Sequence, residues 1–523
     1  MPYLFLTFII FGAYANIFGN EFLFDDDLLI KTNAYLRGWN HVPDILTGST
    51  LAGANVAGGF YRPLQILLYL FIYQLGDGTP FLFHALNLAL HIANACLVYK
   101  LGTKLGFNAG GAFLAALIWS IHPIHTEAIT YMSGTADPLF SLFCLSAIIV
   151  LLPDFTTRKI LISVPLFLPG LASKETAVMF PLLVMACLFY TSEERLKIRT
   201  YFCTWPLWVI SVAYIGWRIH APGLDGPESY AQLFELPGFA ALKAYAETPL
   251  YRLYTFFATL LCYSVLLAWP AHLHIERTFP IYSTPFFWPV AVGIAISVIA
   301  FGTIAFSALK KHGLALSFGL LWFAAAHVPD SGLLMATNSV LLEHWMYLPS
   351  AGLFLGLAQT LYALTKRAPR AFSIFCMSGF LIFVFVLSIK TLDQNKIWRT
   401  PETLYNNIFA NGESSARAHN NLALYYVDRA IYGAAIEQFN IAIRLADAYP
   451  ETRYNLAGTY LHMSTSEKDV RSAIENLNRS LEINPDFYRS HEMLADIYER
   501  LLHDKEKAAF HRAEAQVLIS RRK

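Results

Sequence analysis

The stretch Met1–Asp27 reads MPYLFLTFIIFGAYANIFGNEFLFDDD, an apolar segment followed closely by three consecutive carboxylates. Met1–Phe18 is long and apolar enough to cross the hydrocarbon core of a bilayer. The polar run from Gly19 to Glu21 predicts where the chain leaves the membrane. Because charge is costly inside hydrocarbon, acids held at a membrane boundary are candidates for a functional site.

Composition extends the membrane interpretation to most of the chain. Of its 523 residues, 56% are hydrophobic, 15% aromatic and only 14% charged. A soluble domain carries about 25% charged residues. Mean hydropathy is +0.44, which predicts a polytopic membrane protein. The net charge of +1 does not provide the basic surface that nucleic acid requires, so no nucleic-acid partner is expected.

The apolar segments predict about eleven membrane spans. Lys and Arg in short loops favour the cytoplasmic side, and a cytoplasmic N-terminus puts all five short basic loops there. This arrangement requires 63–75 to lie along the surface as a juxtamembrane helix, and 253–270 to be re-entrant or packed on the outer face. The predicted spans are residues 3–18, 80–99, 110–130, 137–152, 159–172, 176–191, 202–218, 286–308, 313–328, 346–364 and 371–390.

From about Thr400 the sequence becomes polar and repetitive. The pattern Leu-Ala-x-x-Tyr begins at Leu422, Leu456 and Leu494, at steps of 34 and 38 residues. A period of 34, with small residues where two helices cross, is typical of tetratricopeptide repeats. Such repeats stack into an α-solenoid. They predict an interaction surface and no chemistry of their own.

The acids Asp25, Asp26 and Asp27 allow several interpretations. A solvated loop or a helix cap would use carboxylates in this position. A buried carboxylate beside a second one instead gains a raised pKa, which suits a general base. Two adjacent acids also suit a hard divalent cation, but the sequence shows no full ligand set, so we predict no metal site.

Two cations lie near predicted span ends. Arg62, between Tyr61 and Pro63, either extends to lipid headgroups or grips a phosphate with paired hydrogen bonds. Lys174 belongs either to an ordinary loop or to a phosphate site, where it would act as a point charge.

Polar residues also cluster at the outer end of the third predicted span. His122 and His125 are three positions apart, on one helical face, and Glu127 follows them. They form either a polar patch inside the bundle or a pair of metal ligands, although no acids are spaced to complete a metal site. Asp137, at the start of the next span, is the stronger functional candidate. His344 ends the last large outer loop.

Seven stretches, in this order, resemble the transmembrane and tetratricopeptide repeat-containing (TMTC) glycosyltransferases. These are members of the GT-C membrane fold and relatives of the protein O-mannosyltransferases. The stretches are Asn20–Asp26, Phe60–Leu64, His84–Asn94, His122–Asp137, Ser173–Thr176, His344–Ser350 and Trp398–Leu422.

The resemblance implies an all-α polytopic GT-C-type bundle, followed by the α-solenoid. The expected domains are a transmembrane glycosyltransferase domain (1–392), a linker or bridging helix (393–417) and about three repeats (418–523). The implied activity transfers mannose or a similar hexose from a polyprenyl- or dolichyl-phosphate donor to Ser/Thr hydroxyls of protein, with inversion at the sugar carbon.

The resemblance also implies roles for individual residues. Asp25 would be the catalytic base with Asp26 beside it, and the third acid leaves the choice between these two open. Arg62, Lys174 and His122 would bind the donor phosphate. The sugar, the acceptor or the surrounding loops would be positioned by a larger set: Asp137, Glu127, His125, His344 and Tyr61.

Elementary chemistry agrees with this assignment. A lipid phosphate is a workable leaving group, so the enzyme must supply positioning, a base and positive charge. The sequence has no nucleotide-phosphate loop, which favours a lipid-borne donor. No bound cofactor is expected, and a divalent metal is left open. Repeats on the outer side would present a protein acceptor.

Two alternatives remain open: the same chemistry on a glycan or lipid acceptor, and a non-catalytic membrane scaffold that docks a partner through its repeats. The expected location is a bacterial inner membrane with the active site and repeats on the periplasmic side, or the endoplasmic reticulum membrane in a eukaryote.

Overall fold

The computed structural model describes residues 1–56, 60–220, 240–310, 313–337, 339–463 and 466–521. These residues form helices and connecting loops, with no strand among them, which confirms the expected all-α class. They divide into two compact units, Met1–Thr400 and Pro401–Lys523.

The first unit contains sixteen α-helices within the described ranges. They are α1 (Pro2–Tyr14), α2 (Val42–Thr47), α3 (Pro63–Gly76), α4 (Pro80–Lys104), α5 (Ala109–Ile121), α6 (Thr126–Ile129), α7 (Ala136–Leu151), α8 (Thr157–Ser173), α9 (Phe180–Thr191), α10 (Trp205–His220), α11 (Ala240–Glu247), α12 (Pro249–Ala268), α13 (Trp288–Ala308), α14 (Ala315–His327), α15 (Tyr347–Arg367) and α16 (Arg370–Ile397).

The unit is that of a multi-pass membrane protein. Seven described segments are long and apolar enough to span a bilayer: Pro2–Gly19, Pro80–Lys104, Met132–Leu151, Pro249–Ala268, Trp288–Ala308, His344–Arg367 and Arg370–Ile397. The pair α5 and α6, bent by 53°, adds an eighth if it crosses as one broken span.

Four of the eleven predicted spans correspond to shorter helices. Helices α8, α9, α10 and α14 have 17, 12, 16 and 13 residues. Because these helices are shorter than a span needs to be, the structure does not confirm these four predicted spans. One end of the bundle carries Asp25, and we call it the Asp25 end. At the opposite end, Arg195 after α9 donates to the Ser307 carbonyl of α13 at 3.5 Å, and the Asn108 N–H donates to Gln359 of α15 at 3.1 Å.

Helix α12 meets the length and hydropathy of a span, although the sequence predicts that it does not cross. Its contacts explain the difference. The Leu267 carbonyl accepts a hydrogen bond from His122 at 3.2 Å, Tyr263 bonds the Leu342 backbone, and the Phe256 ring lies 6.2 Å from that of His327. These partners all lie toward the Asp25 end, so contacts along α12 favour packing against that end.

Close helix contacts are made possible by small residues. A Cβ on Gly352 of α15 would lie 2.1 Å from the Trp322 ring of α14, and one on Gly356 would lie 3.0 Å from Gly319 Cα. Glycine at these positions therefore lets α14 and α15 pack at short range, as small residues do between membrane helices.

Helix α4 presents a polar face to the interior of the bundle. His84, Asn87, His91 and Asn94 recur at helical spacing and are fully buried. Asn87 donates to the carbonyls of Ile129 and Tyr131 at 3.1 and 3.2 Å, and Asn94 donates to that of Pro138 at 2.7 Å. This face therefore holds the chain between α6 and α7, where helical hydrogen bonds are interrupted.

The second unit consists of helix pairs. Within its described residues the helices are α17 (Pro401–Ala410), α18 (Ala416–Asp428), α19 (Tyr432–Leu445), α20 (Pro450–Met463), α21 (Glu467–Ile483), α22 (Tyr488–Arg500) and α23 (Lys505–Ser520). Three pairs, α18 with α19, α20 with α21 and α22 with α23, pack in succession. Ala423 and Ala435 are fully buried with Phe439, which is the small-residue packing that the repeat pattern predicts.

Candidate active site

The three acids after the first span differ in exposure. Asp26 is 0% exposed, whereas Asp25 and Asp27 are exposed. The Asp26 carboxylate accepts the Leu23 N–H at 2.9 Å and the Ser133 N–H at 2.8 Å, together with the Ser133 hydroxyl. Asp27 forms a surface pair with Lys31 at 2.7 Å. Asp26 therefore holds the loop in place, and Asp25 is presented at its surface.

The backbone of Asp25 is fixed separately. Its N–H donates to the Tyr131 hydroxyl at 2.9 Å, and the Tyr131 ring stacks on Trp398 with 5.5 Å between centroids. Phe24, just before it, has a left-handed φ of 50°, an uncommon conformation for a bulky residue. The loop conformation around Asp25 is thus set by side chains distant in sequence.

Burial changes the acidity of Asp26. It raises the pKa of that carboxyl to about 7, with a further contribution from the charge of Asp25, while the hydrogen bonds from Ser133 and Leu23 act in the opposite direction. A carboxyl with this pKa exists in both protonation states near neutral pH.

The two predicted phosphate-binding cations are each paired with a carboxylate. Arg62 Nε and Nη2 donate to the two carboxylate oxygens of Glu175 at 3.0 and 2.7 Å. Lys174 Nζ lies 2.7 Å from Asp137 Oδ1, and these side chains are only 4% and 7% exposed. Because removing one member of a buried pair leaves an uncompensated charge, each cation depends on its acid.

A further group of charges lies around His344. Its Nδ1 lies 2.8 Å from Glu127 Oε1, and its backbone N–H donates to Glu127 Oε2 at 2.9 Å. Glu343 accepts hydrogen bonds from the His274 N–H at 2.8 Å and from Arg277 at 3.2 Å. Burial, with the neighbouring Glu127 carboxylate, raises the pKa of Glu343.

One short stretch, residues 127–137, connects these groups, and we call it the connecting segment. A Cβ on its Gly134 would lie 2.7 Å from the Glu127 carbonyl oxygen, so the segment closes on itself only with glycine there. Four of its side chains reach the predicted motifs in turn: Glu127 to His344, Tyr131 to Asp25, Ser133 to Asp26 and Asp137 to Lys174.

Arg62 is joined to the same assembly through α3, which begins at the next residue. Gln65 in the first turn of α3 donates to the Ser133 carbonyl at 3.2 Å. The Arg62 guanidinium also lies within electrostatic range of Asp137 and Asp330. The acid loop and the two ion pairs are therefore neighbours at one end of the bundle.

The structure places three predicted residues in structural roles. His122 accepts the Ile124 N–H at 3.2 Å through Nδ1 and bonds the Leu267 carbonyl through Nε2, so the backbone occupies both ring nitrogens and neither faces a phosphate. His125 is fully buried, with its ring 5.2 Å from that of Tyr347. The Tyr61 hydroxyl donates to the Leu46 carbonyl at 2.8 Å.

Four participants are absent from the set of site residues predicted by sequence reasoning: Ser133, Arg277, Asp330 and Glu343. Burial raises the pKa of Asp330 to about 6, while Lys174 acts in the opposite direction. Asp330 follows the apolar helix α14, as Asp25 follows α1, so its position at a span end was a usable signal. Arg277 follows α12 in a loop without a motif, and its pairing with Glu343 spans 66 residues.

The candidate site has no evident metal centre. Among the residues whose structure is described, no group of three or more His, Cys, Asp or Glu side chains is arranged to hold a metal ion.

The fold and this site define a multi-pass helical membrane protein with a cluster of buried ion pairs beside an exposed acid. No protein-family model matches the chain. It is 24% identical over 454 residues to a Caenorhabditis elegans protein O-mannosyl-transferase, F38B6.6, an alignment covering 84% of this chain and 62% of the relative. It is 24% identical over 502 residues to human protein O-mannosyl-transferase TMTC1, covering 85% and 55%.

A shorter region is more similar. Over 148 residues, 28% of this chain, identity to the Xenopus laevis protein O-mannosyl-transferase tmtc2 is 33%. The chain is thus related to the TMTC protein O-mannosyl-transferases, which confirms the resemblance seen in the sequence. It spans only about 55 to 62% of the length of the two relatives aligned over most of its length.

Proposed function

We propose that the chain is a glycosyltransferase that moves mannose or a similar hexose from a polyprenyl- or dolichyl-phosphate donor to Ser/Thr hydroxyls of protein, with inversion at the sugar carbon. One observation carries the proposal: Asp25 is exposed at the end of the bundle where the ion pairs of Arg62 and Lys174 gather, on a loop fixed by the buried Asp26. The relatives named protein O-mannosyl-transferases support the same chemistry.

In this proposal Asp25 is the base and Asp26 a positioning residue. The acceptor hydroxyl attacks the sugar C1 as the bond from C1 to the phosphate oxygen breaks, and the hydroxyl proton passes to the Asp25 carboxylate. Asp26 is unsuited to that role because its carboxylate already accepts hydrogen bonds from Leu23 and Ser133. Exposure of Asp25 allows the acceptor to reach it.

The donor phosphate would lie near Arg62. Two of the guanidinium nitrogens hold Glu175, and the fork geometry of arginine leaves further N–H groups for a phosphate. Glu175 then serves to aim the guanidinium. Lys174 and Asp137 form a buried ion pair beneath the site. Their fixed charges provide a preorganised electrostatic environment during the reaction.

The repeats would supply the protein acceptor. Charged side chains of both signs line a cavity in the last repeats: Arg489 and Glu492 on α22, with Arg512 on α23. A polar groove of this kind suits an extended polypeptide. A protein acceptor is favoured over a glycan or lipid because repeat surfaces of helix pairs typically bind polypeptide.

The site and the repeats would face the periplasm in a bacterium or the endoplasmic reticulum lumen in a eukaryote. The short loops at the opposite end of the bundle carry the basic residues Lys104, Arg195, Lys310 and Arg367. Basic short loops stay in the cytoplasm, which leaves the Asp25 end outside.

The test is sugar transfer in proteoliposomes, with a panel of radiolabelled polyprenyl- and dolichyl-phosphate sugars and a Ser/Thr-rich acceptor peptide. Asp25→Asn is expected to lower turnover at least a hundredfold, the size of effect ascribed to general-base catalysis. Asp27→Asn is the matched control, because Asp27 is an exposed neighbour that pairs with Lys31 on the surface, and it should retain turnover.

Loss of turnover in both variants, or in neither, would overturn the assignment of Asp25. Wild-type protein that transfers no sugar from any donor would remove the proposed activity and favour a membrane scaffold.

A further inference from the structure

His344 is held in the geometry that orients a reactive imidazole. Glu127 grips it twice, with Oε1 2.8 Å from Nδ1 and Oε2 2.9 Å from the backbone nitrogen. The Glu127 side chain is 3% exposed, whereas that of His344 is 22% exposed. A buried carboxylate on Nδ1 fixes the ring orientation, keeps a proton on Nδ1 and stabilises the imidazolium, in which Nε2 also carries a proton.

The far nitrogen of His344 is available. Both ring nitrogens of His91 and of His122 are engaged within the bundle. Nε2 of His344, by contrast, makes no hydrogen bond with any residue that the structure describes, and the side chain is 22% exposed. A donor fixed in direction and left without a protein partner is what a bound anion requires.

The surroundings of His344 come from several elements. Glu127 lies on α6, and Glu343, the residue before His344, pairs with Arg277. Asp137 in the first turn of α7 pairs with Lys174, which directly follows α8. Asp330 follows α14. The cations in these elements, Lys174 and Arg277, are thus already paired with acids. An anion entering here would gain a new hydrogen bond chiefly from His344.

We propose that Nε2–H of His344 binds the donor's lipid phosphate and that the imidazolium charge stabilises that phosphate as it departs. The proposal rests on the proposed function. Glu127 is the positioning residue that aims the ring. Arg62 would hold the phosphate from the side of α3.

The charge balance explains why a cation is needed there. In the donor, the phosphate is a diester with one negative charge. When the C1–O bond breaks, both bonding electrons stay on the phosphate oxygen, so the lipid phosphate leaves as a monoester with two charges. The acceptor's proton goes to Asp25, and His344 keeps its own proton throughout. A fixed cation beside the phosphate is therefore worth more in the transition state than in the ground state.

The first arm of the test measures direct binding of polyprenyl monophosphate to the full-length protein in detergent, beside inorganic phosphate as a second ligand. His344→Gln is expected to weaken binding of the lipid phosphate about tenfold, the usual size of a charge-assisted hydrogen bond. His344→Arg, which keeps a permanent cation, is expected to retain binding. Wild-type binding should weaken as pH rises and His344 loses its charge, and His344→Arg should lack that dependence.

The second arm measures turnover. His344→Gln should lower kcat about a hundredfold with a smaller change in KM, because the charge acts mainly in the transition state. Glu127→Gln should change the pH dependence of turnover while the protein stays folded, because it removes the carboxylate that pairs with His344. His41→Gln is the matched control, since His41 forms an exposed pair with Asp44 at 3.1 Å, and it should change neither arm.

The two arms separate the failures. If the wild-type protein shows no turnover with any donor, the proposed function is wrong. The binding arm would still test whether His344 binds a lipid phosphate. Equal binding of polyprenyl monophosphate by wild type and His344→Gln, or no binding by wild type, would overturn the inference even if the enzyme is active. An equal effect on inorganic phosphate would show a site for free phosphate and overturn the assignment to the lipid donor.

Discussion

The two ends of the membrane bundle differ in their ion pairs. At the Asp25 end two pairs join residues far apart in sequence and are largely buried: Lys174 to Asp137 across 37 residues, and Arg62 to Glu175 across 113. The pair of Asp27 with Lys31 at that end is local and exposed. At the opposite end Glu194 pairs with Lys197 and Arg199, three and five residues away, with all three side chains exposed. Buried long-range pairs specify one arrangement of helices, whereas exposed local pairs contribute little to stability.

The largest effect should come from breaking the most buried pair. Lys174→Met leaves Asp137 charged and without its partner, which should lower the free energy of unfolding by about 3–5 kcal/mol. Adding Asp137→Leu should recover most of that loss, because an apolar pair replaces the charges. Chemical denaturation in detergent measures both. Additive losses in the double variant would show that the two residues act independently.

A smaller effect is expected in the connecting segment. Gly134→Ala places a Cβ 2.7 Å from the Glu127 carbonyl oxygen, and such overpacking costs about 1–3 kcal/mol. Gly379→Ala is the control, because no atom lies within 4 Å of the added Cβ. If both variants unfold at the same denaturant concentration, the connecting segment is not closely packed around Gly134.

The acid loop should show its burial in the pH dependence of stability. The pKa of Asp26 is raised to about 7 in the folded protein, from an ordinary value of 3.8. Between these values the folded state holds more protons than the unfolded state, so stability should fall as pH rises from about 4 to about 7. Asp26→Asn should flatten that slope. Thermal midpoints across this range, compared with Asp27→Asn, provide the measurement, and an unchanged slope would contradict the assignment.

The smallest effect is expected at the opposite end. Glu194→Ala removes the acid shared by Lys197 and Arg199, yet all three side chains are exposed and screened by solvent. We expect no measurable change in the unfolding midpoint or in sugar transfer. A clear loss of stability would mean that exposed pairs also help to hold the bundle together.

The same contrast explains what the sequence can predict. The repeats follow from Leu422, Leu456 and Leu494 because the pattern and its contacts are local, and the structure contains the corresponding helix pairs. The acids after α1 were visible as candidates because their position at a span end is also local information.

The hydrogen-bond partners of the site residues could not be predicted from the sequence. Asp26 and Ser133 are 107 residues apart, and His344 and Glu127 are 217 apart, so only the folded chain shows that they meet. His122 shows the converse limit. Its residue type suits a phosphate, but the Ile124 and Leu267 backbone groups occupy its ring nitrogens, and no sequence pattern indicated this.

The most direct test of the account is the anomeric configuration of the transferred sugar, measured by NMR on the product peptide. A single displacement with Asp25 as base predicts a configuration opposite to that of the donor, with no sugar attached to the protein at any stage. Retained configuration, with a sugar trapped covalently on Asp25, would contradict the account, because Asp25 would then act as a nucleophile rather than a base.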